Sequence, residues 1–124
     1  MHTISVLIVD DDQALSKALE TKFSKLSGYN TTVASDGEEA IALLNAELFD
    51  VILLDLHMPK KNGVEVLKSK KKTKNADTPA YVITNLGSEK YCEEAVENGA
   101  KECFVKSRIT LSEIVDLINQ ALKV

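Results

Sequence analysis

A chain of 124 residues is long enough to bury one core and too short for two, so one domain spanning 1–124 is expected. Hydrophobic content of 44% and charged content of 27% suit a globular protein, while a formal net charge of −4 argues against direct nucleic-acid binding by this chain. No apolar run reaches membrane-spanning length and no charged-then-apolar leader follows Met1, so a cytoplasmic chain without membrane contact is expected.

The β-branched run Ile4–Val9 reads as a buried strand that stops in Asp10, Asp11 and Asp12. Leu15, Ala18, Leu19, Phe23 and Leu26 then recur at helical spacing, with Ser27 and Gly28 as the stop. Residues 31–34 form a brief second strand, Asp36 and Gly37 a turn, and 38–46 a helix that turns Ile41 and Leu44 inward. Val51–Leu54 is an unbroken apolar strand ended by Asp55, and Pro59 to Gly63 is loop. A helix over 64–72 carries its apolar residues, Val64, Val66 and Leu67, near its start, so a solvated far end is expected. Ala80–Thr84 is a fourth strand, and 89–98 a helix closed by Gly99, with Cys92, Ala95 and Val96 facing the sheet. Residues 103–105 make a fifth strand ending at Lys106, and Leu111, Ile114, Val115, Ile118 and Leu122 mark a last amphipathic helix.

Strand and helix alternate five times. Right-handed crossovers then require a five-stranded parallel sheet with helices on both faces, an α/β doubly wound fold. With three Phe, three Tyr and no Trp, its core is mostly aliphatic. Cys92 and Cys103 could pair, yet nothing marks them as a framework, and free thiols are expected in a reducing cytosol.

Parallel strands share one carboxyl edge, and that edge collects Asp10, Asp11, Asp55, Thr84 and Lys106. Carboxylates about 4 Å apart repel by roughly 4 kcal/mol per pair at an effective dielectric of about 20. A divalent cation relieves this, and oxygen-only ligands point to Mg2+. Beside the cation, Asp55 is a competent nucleophile for phosphoryl transfer, with Thr84 and Lys106 as donors to the phosphoryl oxygens.

The run Ile8-Val9-Asp10-Asp11, the run Leu54-Asp55-Leu56-His57-Met58-Pro59 with Gly63, Val82-Ile83-Thr84, Gly99-Ala100 and Val105-Lys106 together resemble the response-regulator receiver domains of two-component signalling, in single-domain, chemotaxis-regulator-like form. The resemblance covers essentially the whole chain. It implies the flavodoxin-like strand order 2-1-3-4-5 and phosphorylation of Asp55 by the phosphohistidine of a histidine kinase or phosphotransfer protein. It further implies Mg2+ held by Asp11, Asp55 and the backbone carbonyl of His57, with Asp10 acting mainly through water. Thr84, Asn85 and Lys106 would bind the phosphoryl group, and an unknown downstream protein would read the altered surface. Such a chain is a signalling phosphoacceptor rather than an enzyme. Asp12 falls outside the acidic pair and is expected to cap the first helix.

Departures from the family pattern are specific. Ser107 stands where a cis proline usually follows the lysine, so a trans peptide is expected. Cys103 stands where the family puts Tyr or Phe, and Phe104, on the other strand face, does not replace it. Asn85 replaces a smaller residue, and His57 either overhangs the phosphoryl group or is a solvated loop histidine. The cluster Lys68, Lys70, Lys71, Lys72 and Lys74 reads mainly as a solvated helix end, with a docking patch as the minority reading.

Two rival functions use the same residues. A haloacid-dehalogenase-type phosphatase would use Asp10 and Asp12 but leave Asp55 idle, and needs an acidic strand end after Lys106 where only Glu113 and Asp116 follow. A receiver-like module that binds partners without phosphorylation is the other alternative.

Overall fold

Short aliphatic runs bounded by acid, glycine or proline make strands here, and the 3.6-period stretches between them make helices. The computed structural model describes residues 3–85, 87 and 89–122. In chain order its elements are Ile4–Val9 (β1), Gln13–Ser24 (α1), Tyr29–Ala34 (β2), Gly37–Ala46 (α2), Val51–Leu54 (β3), Gly63–Lys70 (α3), Ala80–Thr84 (β4), Glu89–Glu97 (α4), Glu102–Val105 (β5) and Leu111–Leu122 (α5). All strand pairs are parallel, in the order β2-β1-β3-β4-β5.

Alternation along the strands sorts the core into two layers. Leu7, Val9, Ile52, Leu54 and Val82 face α2, α3 and α4, whose Ala40, Leu44, Val66, Leu67 and Ala95 cover them. Ile4, Val6, Ile8, Val51, Leu53 and Ile83 face α1 and α5, meeting Leu19, Phe23, Ile114 and Ile118. Each Val, Leu, Ile or Phe among them contributes roughly 1.5–3 kcal/mol on burial. Because β1 and β3 are covered on both sides, their sequences are unbroken apolar runs rather than alternating ones.

Helix ends follow local chemistry. Asp12 is the N-cap of α1, its carboxylate accepting from the Leu15 N–H at 3.2 Å, as expected. Asp36 caps α2 through the Glu39 N–H. Asn62 and Glu65 form a reciprocal capping box at the start of α3. Thr110 and Glu113 exchange the same pair of bonds at the start of α5. Glu113 is therefore a helix cap, which removes it from any metal set a phosphatase would need.

Four expectations need correction. α1 stops at Ser24, and Leu26 beyond it is exposed. β2 begins two residues earlier than expected, at Tyr29, because Tyr29 and Asn30 pair with Ile4 and Ser5 of β1. Val96 does not face the sheet; it is 49% exposed, and Cys92 and Ala95 alone turn inward from the expected set. The thiols are not free: Cys92 on α4 and Cys103 on β5 form a disulfide, with S–S 2.07 Å and Cα–Cα 5.9 Å. Packing of α4 back onto neighbouring β5 brings the two together, which an eleven-residue separation does not announce.

The α3–β4 connection corrects the lysine reading. Lys70 is only 6% exposed, and its ammonium donates to the Ala76 carbonyl at 2.9 Å. Burial pulls its pKa below the ordinary 10.5, offset in part by Asp77. Next to it Asn75, fully buried, accepts from the Phe49 N–H and the Thr78 hydroxyl and donates to the Leu44 and Glu47 carbonyls. These bonds close the amino edge of the sheet, so the far end of α3 is not simply solvated. Lys70→Glu is expected to destabilise the fold by about 3 kcal/mol or more, because it buries an acid against a carbonyl. Lys71→Glu, at an exposed site bonded to Asn98, should stay within about 0.5 kcal/mol of wild type in urea unfolding.

Candidate functional site

The carboxyl edge assembles its polar residues through the strand register. Val9 lies opposite Leu54, so Asp10 and Asp55 leave the sheet side by side. Each still belongs to the ladder: the Asp55 N–H donates to the Val9 carbonyl at 2.8 Å, and the Asp10 N–H to the Ala34 carbonyl at 3.0 Å. Thr84 pairs with Val105, which delivers Lys106 to the same edge one residue later.

Asp55 is 2% exposed. Its Oδ1 accepts from the Leu56 N–H at 2.8 Å and from the Thr84 hydroxyl at 2.9 Å. Its Oδ2 lies 3.3 Å from the Lys106 ammonium, which also holds Asp10 Oδ2 at 2.9 Å. Carboxylate oxygens of Asp10, Asp11 and Asp55 lie within 4.8 Å of one another, with Asp11 exposed and the other two buried. One ammonium against three acids leaves a net negative edge, which favours a hard cation with oxygen ligands.

Burial raises the Asp10 pKa above its ordinary 3.8, helped by the charge of Asp55 and opposed by the Asp12 N–H and by Lys106. For Lys106, burial lowers the pKa, but the bond to Asp10 and the charge of Asp55 outweigh it, so the ammonium titrates above its ordinary 10.5. Lys106 thus stays charged throughout the neutral range.

The other expected residues sit around this cluster. Asn85 is exposed at the end of β4, directly after Thr84. His57 is exposed, and its ring meets the ring of Tyr91 edge-on at 5.1 Å. It is therefore more than a solvated loop histidine: it joins the loop after β3 to α4. Sequence reasoning missed Tyr91, which looks like an ordinary exposed helix position. All described peptide bonds are trans, including that after Lys106, and Lys106 reaches Asp55 from a 3-10 turn spanning Lys106–Arg108.

The loop from β3 to α3 is held from beneath. The Gly63 N–H donates to the Leu56 carbonyl at 2.9 Å, and a methyl group on Gly63 would run into the Asp55 carbonyl and the Leu56 Cα. Gly37, at the start of α2, is pressed equally closely against the Lys61 backbone. The sequence marked Gly37 only as a turn residue and gave no sign that it abuts Lys61.

The family model for the response regulator receiver domain matches residues 6–119. The chain belongs to the response-regulator receiver family. Among curated relatives, the transcriptional regulatory protein CpxR of Escherichia coli K12 is 40% identical over 101 residues, covering 82% of this chain and 42% of that protein. The chain spans about two fifths of the length of CpxR and of similar curated relatives. Among solved structures, the receiver domain of a Francisella response regulator is 33% identical with a TM-score of 0.85, covering 98% of both chains. A receiver domain of a Pseudomonas aeruginosa sensor histidine kinase, with magnesium coordinated in its active site cleft, superposes with a TM-score of 0.84 at 20% identity, covering 98% of this chain and 99% of that one. Receiver domains are signalling phosphoacceptors that interact with histidine kinases or phosphotransfer proteins and bind Mg2+ at their acidic cluster. No helix among the described residues is long and apolar enough to cross a membrane.

Two expectations follow for this receiver. Because the folded pKa of Asp10 lies above the unfolded value, the ionised carboxylate costs stability above that pKa, and the cost disappears as pH falls below about 3.8. Asp10→Asn in chelator-treated buffer should raise the thermal midpoint at neutral pH and change it little near pH 3, which a melt at the two pH values would read. Gly63→Ala should cost about 2 kcal/mol or more, because backbone rather than a flexible side chain blocks the added methyl. Denaturant titration would read that loss.

Proposed function

We propose that this receiver is the phosphoacceptor of a two-component phosphorelay, with Asp55 as the residue phosphorylated. The observation that carries this reading is the buried Asp55 carboxylate bonded at once by Thr84 and Lys106, with Asp10 and Asp11 beside it. Thr84 and Lys106 are the donors that a phosphoryl group on Asp55 would require, and they already flank its carboxylate, Thr84 on Oδ1 and Lys106 on Oδ2.

The donor set fits a magnesium ion: three carboxylates converge within 4.8 Å, and hard oxygen ligands suit that metal better than softer ones. Asp11 and Asp55 would hold it with the His57 carbonyl, and Asp10 would act through water. When bound, the ion supplies positive charge that lets an anionic phosphoryl group approach the acidic edge.

In the transfer itself, a carboxylate oxygen of Asp55 forms a bond to phosphorus as the P–N bond of the donor phosphohistidine breaks, its electron pair leaving with the imidazole. Lys106 and the Thr84 hydroxyl then shift from the carboxylate to the phosphoryl oxygens, with the Asn85 N–H as a further donor. That exchange moves the ends of β4 and β5, and the domain favours a second arrangement of its surface. A groove of about 350 Å3 lined by Leu15, Ala18, Ile109 and Leu111 borders Lys106 and suits the phosphodonor protein. A downstream protein would read the rearranged face, and cytoplasmic placement follows from the kinase partnership.

Intact mass after incubation with acetyl phosphate tests the proposal. One phosphoryl group should add to the wild type with Mg2+, and none to Asp55→Asn or to the wild type with chelator. A folded wild type that gains nothing under rapid quenching and does not bind beryllium fluoride would favour a phosphorylation-independent interaction module.

A further inference from the structure

The disulfide between Cys92 and Cys103 is the one covalent crosslink among the described residues, and it joins the most weakly seated helix to the sheet. Of the described side chains on α4, Ala95 alone is buried, while Tyr91 is 46% and Val96 49% exposed. With one methyl group fully buried among the described side chains and Cys92 packed partly against the core, α4 gains less from packing than the other helices, so the crosslink and the Tyr91–His57 contact weigh more in its attachment.

The crosslink also closes a ring through the site. Asp55 is paired to Lys106, and Cys103 lies three residues before Lys106 on β5. Its disulfide leads to Cys92 on α4. Tyr91, adjacent to Cys92, meets His57, two residues beyond Asp55. Both cysteines are half-buried, which leaves room for a small reagent.

We infer that Cys92 and Cys103 form a reversible thiol–disulfide site, exchanging with a low-molecular-weight disulfide, that fastens α4 to β5 and limits rearrangement around Asp55. The limit on rearrangement rests on the phosphoacceptor reading; the fastening does not. In oxidation, one cysteine thiolate attacks a sulfur of the external disulfide and expels the first small thiolate, leaving a mixed disulfide. The second cysteine thiolate attacks the protein sulfur of that bond and expels the second. The protein thiols lose two electrons and two protons, and the external disulfide takes them up as two thiols.

Thiol alkylation read by intact mass, with amide hydrogen exchange, decides the first part. Protein equilibrated with oxidised glutathione should take up no alkylating agent, should take up two equivalents after dithiothreitol, and should return to none on reoxidation. Exchange over residues 89–97 should quicken at least about tenfold on reduction while α1 and α5 stay unchanged. Cys92→Ser and Cys103→Ser should each reproduce the reduced pattern; should either variant fail to fold, the reduced wild type makes the same comparison. Full alkylation after glutathione treatment, or exchange in α4 indifferent to reduction, would overturn the clamp.

Beryllium fluoride binding with Mg2+ decides the coupling. The reduced form should bind at least about fivefold more tightly, and saturating ligand should favour the dithiol by the same factor. Equal affinity, or tighter binding by the oxidised form, would overturn the coupling alone. Absence of binding by either form would overturn the phosphoacceptor reading and the coupling with it, while alkylation and exchange still judge the clamp.

Discussion

A carboxylate that is almost wholly removed from water governs this structure. Asp55 is tolerated at the end of β3 because each of its oxygens has donors: the Leu56 N–H and the Thr84 hydroxyl on one, the Lys106 ammonium on the other. Those donors come from three neighbouring strand ends, so the parallel order of β1, β3, β4 and β5 is itself a condition for burying the acid. Lys106 divides its charge between Asp55 and Asp10 and leaves the edge negative. That residual charge makes the site receptive to a cation and, through the cation, to phosphate.

Rigidity at this edge is underwritten elsewhere. Gly63 and Gly37 admit close backbone approaches that fix the loop after β3, and Asn62 with Glu65 locks the first turn of α3. At the opposite edge Asn75 and Lys70 satisfy the carbonyls of the α2–β3 and α3–β4 connections. The sheet is thus stapled at its amino end by neutral amides and a buried lysine. Its carboxyl end keeps the charged groups whose bonds can be exchanged.

Between these well-held parts, α4 stands apart. Among its described side chains only Ala95 is fully buried, with Cys92 packed partly against the core, and it is tied further by the disulfide to β5 and the ring contact to His57. Both lead back to residues around Asp55. An element held by few contacts is one whose position a small change in free energy can shift, and here the contacts are a reducible disulfide and an aromatic pair rather than buried aliphatic side chains.

The order of strands and helices, the carboxyl-edge cluster of Asp10, Asp11, Asp55, Thr84 and Lys106, and the cap at Asp12 were legible in the sequence. Periodicity, strand termination and capping are local properties, and parallel pairing follows from the alternation of elements. The pairing of Cys92 with Cys103, the burial of Lys70, the exposure of Val96, the meeting of His57 with Tyr91 and the hub at Asn75 were not. Each depends on which residues of distant segments come into register once the helices dock. Lys70 shows the reason most plainly: in sequence it is one of several lysines, and only the turn that brings the Ala76 carbonyl over its ammonium distinguishes it from Lys71. Sequence determined which groups the sheet would present at its edge; tertiary packing decided which polar groups were buried with partners and which helix was tied to the sheet by a crosslink, because those outcomes are contacts between elements rather than properties of any one of them.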